Sequence, residues 1–248
     1  LLLPVTIVAR IRIPLARLLP LACRYGWDAL RVSLARLGGG SSREQQALNW
    51  VLKQSAAGNP EAVLHALDRF GKEKYFLMNI GDQKGLLLDQ AVRDSKAHRA
   101  LELGAYCGYS AVRIARLLPP EGRLISLEKS PEYARVARQV VAHAGLADRV
   151  EIRLGEAAQL LPALSGPFDL VLLDHWKDCY LPDLKRIEKH GLLRPGSIVV
   201  ADNVGLFDAS SYLAHVRNAS RYDSVHHEAT LEYDDSVPDA VEVSTWRG

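Results

Sequence analysis

The sequence predicts an α/β fold, a mostly parallel, doubly wound sheet closed by an antiparallel strand pair. Three observations carry that expectation. Five short apolar runs, at 100–103, 123–128, 150–154, 168–174 and 197–201, alternate with amphipathic stretches of helical period. The first run breaks at Gly104 into a turn that carries Gly108, and a helix follows from about Tyr109. A strand, a glycine turn and a helix N-terminus present backbone N–H groups and an open approach to a nucleotide. The last segments, 224–233 and 240–246, read as two further strands. A chain of 248 residues, 48% hydrophobic and 24% charged, is long enough for one such domain and ordinary for a globular protein.

The N-terminal 40 residues differ from the rest, and the expected division is a segment 1–40 followed by a domain 41–248. The segment holds six Arg and one Asp, a charge of +5, so the whole-chain +2 leaves −3 for the remainder. That balance argues against nucleic acid as the main partner. The opening nine residues are almost all apolar but too short to cross a bilayer, as if they were the remnant of a longer hydrophobic anchor. Arg10, Arg17, Arg24 and Arg31 recur every seven residues and share one stripe of a helix that Pro14 and Pro20 would kink. Two readings fit with equal weight: a membrane-surface helix over residues 1–37, or a terminal helix packed on its own domain. Gly38, Gly39 and Gly40 with Ser41 and Ser42 form the linker. Cys23, Cys107 and Cys179 show neither paired nor zinc-type spacing, which fits a reducing compartment.

Within the domain, Ser42 and Gln45 have capping-box spacing for a helix running to about residue 54. Asn59-Pro60 caps a second helix to about 70, and a third is expected over 86–95. Between them lies the apolar stretch 75–82, bracketed by Gly71 and Gly81, which could cover a ligand or simply pack as a loop. The helix after Gly108 has Val112, Ile114, Ala115 and Leu118 as its core stripe. Later helices are expected over 131–144, 157–164, 181–190 and 211–218.

Ligands of open α/β sheets bind at the carboxyl ends of the strands, so the polar residues there are the site candidates. Gly104 and Gly108 are four apart, which is not the dinucleotide pattern, and Glu102 suits a cationic ligand better than a phosphate. Glu128 ends the second strand and could accept both hydroxyls of a ribose, although a lone strand-end Glu is as often merely solvated. Asp174 ends one strand and Asp202-Asn203 the next, so two carboxylates and an amide oxygen can converge. That hard oxygen set suits Mg²⁺, whereas a single Asp-Asn pair is also a common turn. Lys177, three residues past Asp174, is a candidate general base, and His175 and Trp176 offer a ring edge and a ring face.

Four stretches, 102–110 (Glu-Leu-Gly-Ala-Tyr-Cys-Gly-Tyr-Ser), 173–178 (Leu-Asp-His-Trp-Lys-Asp), 201–204 (Ala-Asp-Asn-Val) and 231–233 (Leu-Glu-Tyr), closely resemble the catechol O-methyltransferases. The likeness runs from about residue 43 to the C-terminus. It implies a Rossmann-like methyltransferase that moves a methyl group from S-adenosylmethionine to one oxygen of a catechol with Mg²⁺. By position it implies Asp174, Asp202 and Asn203 as metal ligands, Lys177 as the base and Glu232 as holder of the second hydroxyl. Met78, Asn79, Ile80, Glu102, Tyr106, Ser110, Glu128 and His175 would surround the cofactor, with Gly104, Tyr109, Lys129, Gly155 and Ala157 completing the set. Phe76, Trp176, Lys177, Asn203, Phe207 and Glu232 would line the substrate.

Departures from the family pattern carry expectations of their own. Phe76 and Phe207 stand where the family commonly has Trp and Pro, which keeps an aromatic wall. Ala157-Ala158 replaces a Ser-Gln pair, so adenine loses side-chain hydrogen bonds and cofactor affinity should be lower. Lys129 replaces an aliphatic residue. The resemblance further implies a monomer on the cytoplasmic side, either free or membrane-associated through its N-terminus. Two rival readings are a catalytically silent relative that binds a partner at a membrane, and a methyltransferase for another vicinal aromatic diol.

Overall fold

A computed structural model describes residues 40–218 and 220–248. The expected N-terminal helix, with Gly38 and Gly39 of the linker, lies outside the described residues. Three helices come first: α1 (Arg43–Gln54), α2 (Pro60–Glu73) and α3 (Gly81–Asp94). The alternating part is β1 (Arg99–Leu103), α4 (Tyr109–Ala115), β2 (Arg123–Glu128), α5 (Pro131–His143), β3 (Val150–Leu154), α6 (Ala157–Leu160) and β4 (Phe168–Leu173). It continues with α7 (Tyr180–Lys189), β5 (Leu193–Ala201), α8 (Ser210–Val216), β6 (Tyr222–Leu231) and β7 (Asp234–Trp246). One seven-stranded sheet has the order β3-β2-β1-β4-β5-β7-β6, with β7 antiparallel to both β5 and β6 and every other pair parallel.

Strand alternation explains why helices cover both faces. Ala100, Leu170, Leu172, Ile198 and Val200 point into one apolar cluster, shared with α1 to α5. Their neighbours Leu101, Leu103, Val171, Leu173, Val199 and Ala201 point into the other, shared with α7 and α8. Each fully buried Leu or Val in these rows contributes about 1.5–3 kcal/mol. The order also places a switch point between β1 and β4, because the chain winds outward from β1 in one direction and then returns to add β4 on its other side.

Local chemistry sets several boundaries. Ser42 Oγ accepts the Gln45 N–H at 3.1 Å and starts α1, but the Gln45 side chain donates to Asn49 at 2.9 Å. The capping box is therefore half formed. Asn59 Oδ1 accepts from Ala62 N at 3.0 Å, and Pro60 opens α2. Helix α3 begins at Gly81, five residues earlier than expected, because Asn79 Oδ1 accepts the Gly81 N–H at 2.9 Å. Helix α6 stops at Leu160 and passes into a 3₁₀ turn, Leu161–Ala163, in which Pro162 cannot continue an α-helical ladder. At the other end of the chain β7 begins at Asp234, so β6 and β7 are joined by a tight turn at Glu232-Tyr233 instead of a loop. Among the described residues no helix is long and apolar enough to cross a membrane.

Candidate active site

The strands β2, β1, β4 and β5 are consecutive neighbours, so their carboxyl ends lie side by side along one edge of the sheet. Leu173 and Ala201 are register partners, so Asp174 and Asp202 are the next residues on adjacent strands. Their backbone N–H groups continue the ladders, Asp174 to Leu103 O at 3.0 Å and Asp202 to Leu173 O at 3.1 Å. Gly104 makes this approach feasible: its φ is +103°, and a Cβ there would sit 2.5 Å from the Asp174 carbonyl oxygen. Burial, and then repulsion from Asp202, hold the Asp174 carboxyl well above its usual range, with Lys177 partly opposing them. Burial likewise raises Asp202, and Lys84 opposes it. Two enclosed carboxylates that repel one another fit a divalent cation.

Asn203 follows with φ +53°, in the left-handed region where Asn is tolerated. Its Nδ2 donates to Asp239 Oδ2 at 2.8 Å and reaches Glu232 Oε2 at 3.5 Å. The amide nitrogen is thereby committed, and among the described residues nothing donates to Oδ1, the atom a hard cation needs. Lys177 donates to the Tyr180 hydroxyl at 2.7 Å and to His175 O at 3.3 Å, and lies 3.8 Å from Asp174 Oδ1. The Tyr180 hydroxyl in turn donates to Asp202 O at 3.1 Å, tying the lysine to the neighbouring strand end. Glu232 is buried at the β6–β7 turn, and burial raises its carboxyl against the pull of Lys84.

At the end of β2, Glu128 is buried, not solvated. Its Oε2 accepts from Tyr106 N at 2.9 Å and its Oε1 from Ser130 N at 2.8 Å. Glu102 is fully enclosed, accepts from Ser126 Oγ through Oε2 and leaves Oε1 without a partner. Burial pushes its carboxyl up to about 7, with the nearby Ser110 and Ser126 hydroxyls acting against the rise. His175 stacks on Tyr180 at 5.2 Å, and its Nε2 pairs with Asp183 Oδ2 at 2.9 Å. Asp183 therefore keeps the proton on Nε2 and leaves Nδ1 an open acceptor, while burial lowers the imidazole pKa. The buried atoms Glu102 Oε1, His175 Nδ1 and Asn79 Nδ2 all lack partners, and all belong to the expected cofactor set. An acceptor for a cation, an acceptor for an amine and a free amide donor fit a zwitterionic nucleoside ligand.

Other expected residues are placed less directly. Met78, Trp176 and Lys129 are exposed, whereas Ile80 and Ser110 are buried. Tyr106 donates its hydroxyl to Glu44 of α1 at 3.0 Å, and the Tyr109 hydroxyl accepts from Arg113 at 2.9 Å. The Tyr106 ring thus anchors α1 to the glycine turn, whereas the Tyr109 bond stays within α4. Gly155 donates to Glu128 O at 2.9 Å, and Ala157 begins α6 at that same edge. Phe76 is buried with Leu206, Leu231 and Val237, and Phe207 and Tyr233 pack on that cluster.

The chain matches the O-methyltransferase family model over residues 53–236. The chain belongs to the O-methyltransferase family. It is 43% identical over 214 residues to the catechol O-methyltransferase of Mus musculus, covering 84% of this chain and 80% of that one. It is 44% identical over 220 residues to a probable O-methyltransferase of Mycobacterium tuberculosis, covering 84% and 94% respectively. Among solved structures, an O-methyltransferase of tomaymycin synthesis from Streptomyces achromogenes, in complex with SAM, superposes with a TM-score of 0.66. That pair is 27% identical, with 75% of this chain and 90% of the other covered. The Rossmann-like fold expected from the sequence is the one this O-methyltransferase has.

Two buried residues beside these strand ends of the O-methyltransferase escaped the sequence reading. Lys84 and Asp239 both contact the expected metal and substrate residues. A signal for Lys84 existed, since it shares a helical stripe with the buried Leu88, Ala91 and Val92, and a cation on a core-facing stripe requires partners. His175, Cys179 and Asp183 bring their donor atoms within 4.8 Å of one another, through a 3₁₀ turn that the spacing did not reveal. Within that group His175 and Asp183 already bond each other, and Arg186 takes the second Asp183 oxygen at 2.9 Å.

Proposed function

We propose that this chain transfers the methyl group of S-adenosylmethionine to one oxygen of a catechol, assisted by Mg²⁺. The observation that carries the reading is the placement of Asp174, and of Asp202 with Asn203, at the ends of two paired strands, with Lys177 3.8 Å from Asp174. Asp174, Asp202 and the Asn203 amide oxygen would hold the metal, which would supply Lewis-acid stabilisation of a phenolate. Glu102, Glu128, His175 and Asn79 would bind the cofactor, which supplies a sulfonium methyl.

The chain's own residues do the rest. Lys177, held by Tyr180 beside Asp174, takes the proton of the reacting hydroxyl at Nζ. Glu232, whose Oε2 is fixed by Lys84 at 3.0 Å, orients the second hydroxyl. Phe76, Phe207 and Leu231 provide an apolar wall for the ring, and a partly exposed Trp176 stands at the mouth. Positioning of two reactants in line can by itself account for several kcal/mol of barrier reduction, roughly 7–11 in favourable cases.

A methyl-transfer assay with catechol and a monophenol, each with Mg²⁺ and with excess chelator, tests the proposal. Catechol should be methylated only with the metal, and the monophenol should be a poor acceptor. Equal rates on both acceptors, or chelator-resistant turnover, would remove the proposed role of the oxygen cluster.

A further inference from the structure

Lys84 projects from the buried side of α3 and is 1% exposed. Its ammonium donates to Asp202 Oδ2 at 3.0 Å, Glu232 Oε2 at 3.0 Å and Asp239 Oδ2 at 2.7 Å, and lies 2.8 Å from Asp202 Oδ1. Asp239, on β7, is as enclosed, and its two oxygens have different partners. Oδ2 accepts from Lys84 and from Asn203 Nδ2 at 2.8 Å, and Oδ1 accepts from the backbone N–H of Leu206 at 3.0 Å. Neither residue is among the expected ligands, yet together they touch Asp202, Asn203 and Glu232.

We propose that Lys84 and Asp239 form a buried positioning pair that orients the metal and substrate ligands before either guest arrives. The inference rests on the metal-site reading above. An Asn amide can offer a hard cation only its oxygen, so the nitrogen must find an acceptor on the other side. Asp239 Oδ2 is that acceptor. The Leu206 bond fastens the turn after Asn203 to the same carboxylate, so the left-handed Asn203 and its loop share one anchor. Lys84 supplies the counter-charge that lets Asp239, Asp202 and Glu232 lie within 3.0 Å of a single ammonium. A buried cation with three carboxylate partners contributes little net stability but strongly restricts geometry, a combination suited to positioning. Because α3 directly follows residues 78–80, the pair also ties the loop expected over the cofactor to the metal ligands.

The test is Mn²⁺ binding to the purified full chain by calorimetry, with neither donor nor diol present. Asp239→Asn preserves size but leaves one oxygen for three donors. It should weaken Mn²⁺ binding about tenfold or more, the usual effect of removing a partner behind a metal ligand. Binding of S-adenosylhomocysteine should stay at the parental level. Deleting a single charge from this cluster threatens folding, so Lys84→Met/Asp239→Asn removes both together and is followed by thermal melting. Positioning predicts that the double variant melts near the parent yet still binds Mn²⁺ at least about tenfold more weakly. Parental Mn²⁺ affinity in either folded variant overturns the pair and leaves the metal-site reading standing. No Mn²⁺ binding by the parent, with S-adenosylhomocysteine still bound, overturns both.

Discussion

Removing the charge at Glu102 separates a buried functional carboxyl from an ordinary core residue. The side chain is fully enclosed, and its Oε1 has no partner among the described residues. Burial moves its pKa from 4.5 up to about 7, a difference of about 2.5 pH units. Between those values the folded chain keeps a proton that the unfolded chain has released. Stability from this group is therefore fully present below 4.5 and is lost as the pH rises through about 7. At about 1.4 kcal/mol per pH unit the loss is on the order of 3 kcal/mol. Glu102→Gln keeps the size and the acceptor for Ser126 but cannot ionise. Urea unfolding of the ligand-free protein should give nearly equal stabilities at about pH 4 and an advantage for the variant of about 3 kcal/mol at about pH 8. The same variant should bind S-adenosylhomocysteine more weakly than the parent at the higher pH, because a neutral amide cannot pair with the ligand's ammonium. An advantage that does not grow with pH would refute the account of Glu102 as a carboxyl held ready for a cationic group.

Two further substitutions address the chemistry and the adenine edge. Lys177→Ala should lower kcat for catechol by about 10²–10⁴-fold, the usual worth of a general base, with S-adenosylhomocysteine affinity unchanged by calorimetry. A variant that turns over at the parental rate would end the base assignment. Ala157→Ser combined with Ala158→Gln should tighten S-adenosylhomocysteine binding by about five- to tenfold, since a restored hydrogen bond contributes about 1 kcal/mol. An unchanged Kd would mean that the adenine does not reach α6.

What could be read from the sequence was whatever local chemistry fixes. Gly104 and Gly108 take the positive φ values that their turn requires, and Asp174 and Asp202 stand one residue past the register pair Leu173–Ala201. Strand β7 was harder to see. Residues 234–239 contain three Asp, a Ser and a Pro, so no period-two pattern marks them, and only pairing with β6 makes them a strand. Asp239 was lost with that boundary. It becomes buried only once β7 is inserted between β5 and β6, a long-range event with no local signature. Lys84 was missed for a different reason. A lysine is almost never fully buried, so its place on the core stripe of α3 was outweighed by its residue type.

The enclosed charges explain how so acidic a sheet edge can exist. Asp202, Glu232 and Asp239 face Lys84, three formal negative charges against one positive. The balance of minus two is what one divalent cation would cancel. Removing Lys84 alone would raise the deficit to three, and removing Asp239 alone would lower it to one, so either change alters attraction as well as geometry. The double replacement keeps the balance at minus two and changes only the orientation of the ligands. Any loss of Mn²⁺ affinity in that protein must therefore come from where the oxygens point, because the net charge drawing the ion in is the same.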